Sequence, residues 1–367
     1  MNVESIKLIN FRNYNNLSLD LNKKINIFVG KNAQGKTNLL ESIYMCATGR
    51  SFRTNRDREI INLNKKEAYI GSKINIGRTE KIIEVKLEKD RPKRIKINQI
   101  ELKNFKELYS GLSVVVFSPD DLKLVKDGPV ERRNFLDMSI SQIRPIYKYN
   151  INKYNKVLFQ RNNLLKSNKV KSNIINLIEI FDIQLAKIGT EIIISRFQFI
   201  EKLSKIAKET HRKLTLEEEL ILNYNTNVNF SGKNKKIIEK NFLEQLKFNV
   251  DKDLITGITS IGPHRDNMEI EINGADARIF ASQGQQRTIV LSIKLSEVEI
   301  IRMEKGVYPV LLLDDVFSEL DMDRRKYLTK SFNDMQTIIT STDIINLDEL
   351  KEIEKSIFYI DNGKILK

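Results

Sequence analysis

Gly30-Lys31-Asn32-Ala33-Gln34-Gly35-Lys36-Thr37 is a complete G-x-x-x-x-G-K-T loop, entered from the apolar run Ile25 to Val29 and left through Asn38-Leu-Leu-Glu-Ser-Ile-Tyr-Met45. Strand, glycine loop and helix thus come in the order a phosphate-binding loop requires. Glycines let backbone N–H groups turn inward around an anion, and the helix N-terminus adds positive potential. All eight residues are expected to line a nucleoside triphosphate. Lys36 would reach its β- and γ-phosphates, and the Thr37 hydroxyl would ligate Mg²⁺. A chance glycine-lysine turn would need neither flank.

The carboxylates such a site needs lie far downstream. In Tyr308-Pro-Val-Leu-Leu-Leu-Asp-Asp-Val-Phe317, Val310 to Leu313 has the pattern of a buried strand and ends in Asp314-Asp315. Adjacent carboxylates at the end of an apolar strand are costly unless a cation compensates them. Asp314 is expected to hold Mg²⁺ through water, and Asp315 to orient or deprotonate the attacking water. With Lys36 they form the expected catalytic set. Lys36 and Asp314 stand 278 positions apart (314 − 36), so a large insertion must divide the nucleotide-binding fold. Between them, Phe280-Ala-Ser-Gln-Gly-Gln-Gln-Arg-Thr288 predicts a helix start whose Ser282 and backbone N–H groups face outward. An N-cap explains Ser282 but not the Gln-Gly-Gln-Gln that follows it. Ser282 and Gly284 therefore suggest a second anion site. Two chains arranged head to tail could each use it to close the other's nucleotide.

A chain of 367 residues can build one large or two ordinary domains. No apolar run approaches the ~20 residues of a membrane span, and the N-terminus has no secretory pattern. One cysteine, Cys46, rules out an internal disulfide and fits a reducing cytoplasm. Two histidines, His211 and His264, leave little for a zinc site. The net charge of +14 suggests a polyanionic partner, nucleic acid before an anionic membrane. A lysine-rich coding bias offers a plainer explanation. Distribution says more: Met138 to Ile178 contains no acid but eight bases, Arg144, Lys148, Lys153, Lys156, Arg161, Lys166, Lys169 and Lys171. That stretch would either lie against DNA phosphates or be solvated lysine.

Before about residue 115 the chain reads as short strands with turns, plus the helix after the phosphate loop. Ile82 to Glu88 and Arg94 to Asn98 alternate and predict a hairpin around Asp90-Arg-Pro. Leu112 to Phe117 predicts a buried strand. From about 120 to 250 the pattern turns helical. Tyr147, Ile151, Tyr154, Leu158 and Leu165 form one seam, and Ile178, Phe181, Leu185, Ile188, Ile192, Phe199 and Ile206 form another. Two such helices would pack antiparallel. Residues 210 to 250 are weakly patterned, with a polar loop at Asn225 to Lys236.

Taken together these residues resemble the ABC-type ATPase heads of the SMC-like group. Ser282-Gln-Gly-Gln-Gln is similar to its signature motif, Asp314-Asp315 to its Walker B, and Ser318-Glu-Leu-Asp321 to its D-loop. Within the group they resemble the RecF-like family. The likeness is carried by Asn10-Phe-Arg-Asn-Tyr14, Gly30 to Asn38, Gly49-Arg-Ser-Phe-Arg-Thr54, Phe117-Ser-Pro-Asp-Asp-Leu122, Gly128 to Asp137, Ile261-Gly-Pro-His-Arg-Asp266 and Leu311 to Asp321. These run in family order over nearly the whole chain. The resemblance implies an α/β fold, an ABC-type P-loop ATPase head with a mixed sheet and helices. The head would comprise residues 1–117 plus 255–367, interrupted by a mainly helical arm lobe at 118–254. It also implies ATP and Mg²⁺ as cofactors and an ATP-dependent homodimer. Slow ATP hydrolysis would be stimulated by DNA, bound as duplex or at gaps and single-strand junctions. RecO and RecR would be its partners in loading recombinase, with no membrane role. Arg12 matches an arginine that contacts phosphate in such heads.

Three departures from the wider ABC pattern stand out. Asp315 replaces the usual catalytic Glu, Thr342 falls about where a switch histidine is expected, and Ser118-Pro-Asp-Asp121 replaces the glutamine loop. Each points towards slow hydrolysis. Arg50 and Arg53 would serve nucleotide, DNA or the head itself, and both join Lys148, Lys153 and Lys156 as candidate DNA contacts. His264 and Arg265 would take a structural or nucleotide-edge role. Two rival readings are a transporter ATPase subunit and an SMC-like ATPase acting on RNA or as scaffold for a nuclease.

Overall fold

The computed structural model describes residues 1–167, 171–215, 217–229, 234–342 and 353–366. The chain forms two compact units, Met1–Leu122 with Val290–Lys367, and Lys123–Ile289.

The first unit opens with β1 (Asn2–Phe11), β2 (Tyr14–Asp20) and β3 (Ile25–Val29), then helix α1 (Lys36–Thr48). Next come β4 (Glu67–Ile76), β5 (Thr79–Glu88), β6 (Arg91–Ile97), β7 (Ile100–Glu101) and β8 (Val114–Phe117). The hairpin expected around Asp90 is β5–β6, with Ile83 opposite Ile97 and Val85 opposite Ile95. An antiparallel sheet has the order β2-β1-β4-β5-β6-β7. In β5, Ile83, Val85 and Leu87 are buried while the residues between them are not, as expected for a sheet with one wet face.

The inserted unit contains α2 (Lys123–Lys126), α3 (Pro129–Ile143), α4 (Pro145–Leu165), α5 (Lys171–Thr215), β9 (Leu220–Asn225), α6 (Lys235–Phe248) and α7 (Val250–Thr256). It continues through β10 (Asn267–Ile272), β11 (Ala275–Asp276) and α8 (Ala277–Phe280). Helix α9 (Gln283–Lys305) starts in this unit and ends in the first. The chain then completes the first unit with β12 (Val310–Asp314), α10 (Met322–Lys330), β13 (Thr337–Ser341), β14 (Lys355–Asp361) and β15 (Lys364–Leu366).

The second sheet of the first unit, β15-β14-β3-β13-β12-β8, makes the insertion possible. Strands β14, β3, β13, β12 and β8 run parallel, and β15 pairs antiparallel with β14. β12, with Val310 to Asp314 all buried, lies one strand away from β3, with β13 between them. Parallel neighbours put their C-terminal ends on one edge, where α/β folds bind ligands. Helix α1 buries Leu39, Leu40, Ile43, Met45, Cys46 and Ala47 at 1% exposure or less. Each aliphatic side chain so buried contributes about 1.5–3 kcal/mol.

Both helical seams of the inserted unit form, with small shifts. In α4, Tyr147, Ile151, Tyr154, Val157 and Leu165 are buried, Val157 more than Leu158. In α5, Ile178, Leu185, Ile192 and Phe199 are buried. Arg161 pairs with Asp182 and Tyr147 with Arg196, so α4 and α5 run antiparallel. Two expectations need correcting. The units divide after Leu122 and after Ile289, not at 117/118 and 254/255. The reason is β10, which pairs with β9 and β11 in a three-stranded antiparallel sheet and so holds residues beyond 255 in the inserted unit. The lobe is built mainly of helices, with this small sheet beside them. β9 lies within the stretch that looked weakly patterned, and only Leu220 and Leu222 of its six residues are buried. Part of the polar loop expected at 225–236 and Lys169 of the basic run lie outside the described residues.

Candidate nucleotide site

The phosphate loop is held from both sides. Tyr14 donates its hydroxyl to the Gly35 carbonyl at 3.0 Å, and Asn13 Nδ2 donates to the Gln34 carbonyl at 2.8 Å. From the β14–β15 turn, Gly363 N donates to the same carbonyl at 3.0 Å. Gly35 has φ +115°, and a Cβ there would come within 2.7 Å of the Asn13 amide. Conformation and space both demand glycine. Gly30 and Gln34 are half-buried, Lys31, Asn32 and Ala33 are exposed, and Lys36 is buried. The Lys36 ammonium folds back on its own loop, donating to the carbonyls of Gly30 (2.7 Å) and Lys31 (3.2 Å).

The sheet brings the two distant motifs together. Thr37 Oγ1 donates to Asp314 Oδ1 at 2.8 Å. Thr340, at the end of the intervening β13, donates its hydroxyl to the same oxygen at 2.9 Å. Thr340 Oγ1 in turn accepts from the Asp315 backbone N–H at 2.9 Å. Asp315 has φ +52°, an uncommon conformation for a residue with a side chain and one that clusters at functional sites. Burial raises the pKa of Asp314; the Thr37 and Thr340 hydroxyls oppose the rise, Asp315 adds to it, and Arg53 opposes it. A buried carboxylate beside a threonine hydroxyl matches the donor set that Mg²⁺ uses when a substrate phosphate completes its shell. No cluster of three or more His, Cys, Asp or Glu suited to a metal occurs among the described residues.

Arg12 lies in the β1–β2 turn with φ +52°. Its guanidinium forks onto Glu41 at 2.8 and 2.6 Å and also reaches the Glu59 carbonyl. Arg53 donates to Asn38 Oδ1 at 2.8 Å, which ties it to the phosphate-loop helix. Arg50 is exposed.

Ser282 and Gly284 belong to the inserted unit. Ser282 Oγ accepts from Gln285 N at 3.3 Å, and the Gln285 side chain accepts from Ser282 N at 2.8 Å. This is a reciprocal capping box. Both Ser282 and Gly284 are exposed. A Cβ on Gly284 would meet nothing closer than 4.0 Å, so packing within the chain does not require glycine there.

The other candidates sort by burial. Lys153 and Lys156 are exposed on α4. Lys148 is buried at 8% exposure and Arg161 completely, so neither faces a DNA backbone, and the basic run is not one continuous charged surface. Thr342 is exposed, while Asp343 lies outside the described residues. Ser118 N donates to Asp121 Oδ2 at 2.6 Å, closing the turn that stands where a glutamine loop is expected. Both ring nitrogens of His264 are engaged within the protein: Nε2 lies 2.9 Å from the Thr259 carbonyl and Nδ1 2.8 Å from the Tyr154 hydroxyl. A carbonyl only accepts, so Nε2 carries the proton and Nδ1 accepts from Tyr154. Burial lowers the His264 pKa to about 4. Arg265 Nη2 reaches the Thr259 carbonyl at 3.3 Å.

Sequence reading missed Thr340, Glu41 and the Asn13–Tyr14 brace. Thr340 had a faint signal, a hydroxyl ending the apolar Ile338-Ile339 run. Glu41 had one too, the lone acid of helix α1.

Residues 2–363 match the RecF/RecN/SMC N terminal domain family. The DNA replication and repair protein RecF of Alkaliphilus oremlandii is 48% identical over 367 residues, covering all of both chains. A solved structure of the recombination mediator protein RecF with ATP, in the RecFOR pathway, superposes with a TM-score of 0.93 at 36% identity, covering 100% of this chain and 97% of that one. An Smc head domain from Pyrococcus furiosus shares the fold at a TM-score of 0.56 and 17% identity, covering 99% of this chain and 95% of the other.

Proposed function

The chain belongs to the RecF family of DNA replication and repair proteins, within the RecF/RecN/SMC N-terminal domain ATPases, and from that membership we propose an ATP-dependent DNA-binding protein of recombinational gap repair. The observation that carries this reading is the 2.8 Å bond between Thr37 and Asp314. It joins a phosphate loop to a buried carboxylate across most of the chain.

In this reading Gly30 to Thr37 wrap the triphosphate, and Lys36 exchanges its two loop carbonyls for phosphate oxygens. Thr37 and Asp314 hold Mg²⁺, which when bound offsets charge developing on the phosphates. Asp315 orients the attacking water. Its side chain is one methylene shorter than Glu, so alignment is poorer, and turnover stays below about 10 s⁻¹, the median enzyme value. The protein then acts as a timed clamp rather than a motor. Ser282 and Gly284 of a second copy close the nucleotide from the other side. The exposed helix start and the unforced glycine support this, because a close external approach is what such a glycine permits. The ATP-bound dimer holds DNA at gaps and junctions and works with RecO and RecR to load recombinase.

The test measures oligomeric state and affinity for gapped DNA, duplex and RNA, with ATP, ADP or neither. ATP alone should produce dimers that prefer gapped DNA. Ser282→Arg should bind ATP as a monomer, because the added cation fills the facing phosphate position. A protein that stays monomeric at saturating ATP and binds DNA equally well without it rules the scheme out.

A further inference from the structure

The helix start that carries Ser282 is tied to the core of its own unit. The Gln285 amide oxygen accepts from Ser282 N, and the amide nitrogen donates to Glu218 Oε1 at 2.8 Å. The other oxygen of Glu218 lies 3.2 Å from Nε2 of His211, which is buried near the end of α5. A carboxylate only accepts, so this Nε2 carries the proton and donates. Ser282, Gln285, Glu218 and His211 thus form one relay, all of it inside the inserted unit. His211 has no exposed side-chain surface and Glu218 keeps 23%, so the relay runs from the core outward.

The relay explains why position 285 is glutamine. A capping box works with Glu or Gln there. A glutamate, however, could not donate to Glu218 and would set two carboxylates side by side. An amide accepts from Ser282 N at one end and donates to the carboxylate at the other. Because Glu218 offers only acceptors, it fixes which end of that amide faces the serine. The other half of the box leaves the serine half-used. Ser282 Oγ accepts from Gln285 N at 3.3 Å, which occupies a lone pair and leaves the hydroxyl proton to be donated. No acceptor among the described residues takes that proton, and Ser282 is exposed.

We propose that Glu218 is a positioning residue: through Gln285 it holds the start of α9 so that the Ser282 proton is left for a phosphate of the second copy's triphosphate. This deepens the second-copy reading above and rests on it. A donor fixed before its partner arrives loses less entropy on meeting phosphate than one ordered only then. Glu218 itself touches no phosphate, since its two oxygens are engaged by Gln285 and His211.

The full chain would be compared as the parent, Gln285→Glu, Glu218→Ala, the exchanged pair Glu218→Gln/Gln285→Glu, and Ser282→Arg. For each, ATP binding by the dilute monomer, ATP-driven dimerisation, turnover and thermal unfolding would be measured. Gln285→Glu keeps the serine's cap and breaks only the bond to Glu218, and an acid at a helix start is favourable, so this variant folds. It should weaken ATP-driven dimerisation about tenfold, the loss of one charge-assisted hydrogen bond, with turnover falling in step. The monomer should still bind ATP within about twofold of the parent. Glu218→Ala should match it. The exchanged pair restores the bond with donor and acceptor reversed and should dimerise within about threefold of the parent. Parental dimerisation in Gln285→Glu overturns the proposal, as does an exchanged pair no better than Gln285→Glu alone. So does a Glu218→Ala that loses thermal stability yet dimerises as the parent does, the mark of a purely structural bond. Should Ser282→Arg dimerise with ATP like the parent, the second-copy reading falls, and this one with it. A monomeric Ser282→Arg beside a normally dimerising Gln285→Glu removes this proposal alone.

Discussion

In the unit that carries the phosphate loop, one carboxylate, Glu41, faces two guanidiniums, Arg12 and Arg53. In the inserted unit the ratio is reversed: Arg161 lies between Asp182 and Asp253 at 2.6 and 2.7 Å, and Arg196 pairs with Asp137 and Asp266. Arg161 and Arg196 are 2% exposed or less, while Arg12 and Arg53 remain open. The same pair of functional groups thus serves two ends. Where the cation is sealed in and outnumbered by acids, it stitches helices together, here α4 to α5 and to the middle of α7. Where two cations share one acid and stay partly open to solvent, the pairing is not sealed into the core. Stoichiometry and exposure separate the two clusters; ion pairing alone does not.

The largest effect is expected from Arg161→Ala, which strands two buried carboxylates. It should cost about 3–5 kcal/mol, measured by urea unfolding, whereas Arg53→Ala should cost less than about 1 kcal/mol. Near-equal losses would erase the distinction between the clusters. Next, Lys36→Met should lower ATP turnover at least about a hundredfold, as removal of a preorganised charge does elsewhere, with weaker ATP binding. Parental turnover would remove Lys36 from the chemistry.

A smaller effect comes from His264. Its pKa in the folded protein is about 4 against an ordinary 6.5, so the unfolded chain takes up the proton first as pH falls. Its contribution is complete above pH 6.5 and is lost towards pH 4, about 2 kcal/mol by pH 5. Thermal unfolding against pH, parent beside His264→Gln, should show the variant with the flatter acid limb; parallel curves would contradict this. The smallest change belongs to α4. Lys153→Glu and Lys156→Glu should each reduce the slope of log K against log salt for DNA binding by about 1 if each meets a phosphate. An unchanged slope would make them solvated lysines.

Legibility followed the range of the interactions. The β5–β6 hairpin, the buried β8 and both helical seams were readable because a period of two or of 3.6 is written in neighbouring residues. β9 was not, because a six-residue strand with two buried side chains leaves little pattern. The boundary at Ile289 was not either, because what holds β10 in the inserted unit is its pairing with β9, more than forty residues earlier in the chain (267 − 225 = 42). Lys148 and Arg161 looked like their exposed neighbours Lys153 and Lys156, since a charge run does not disclose which of its members face the core.

Sequence alone settled the phosphate loop, the Asp314-Asp315 strand end and the order of motifs that marks the family, because each depends on residues within a few positions of one another. The tertiary structure decided the rest. It placed β13 between β3 and β12, so that Thr340 bonds the carboxylate that Thr37 also reaches, and it made Glu41 the shared partner of two arginines. Such meetings depend on which strands and turns become neighbours, and parallel pairing across an insertion leaves no local trace in the chain.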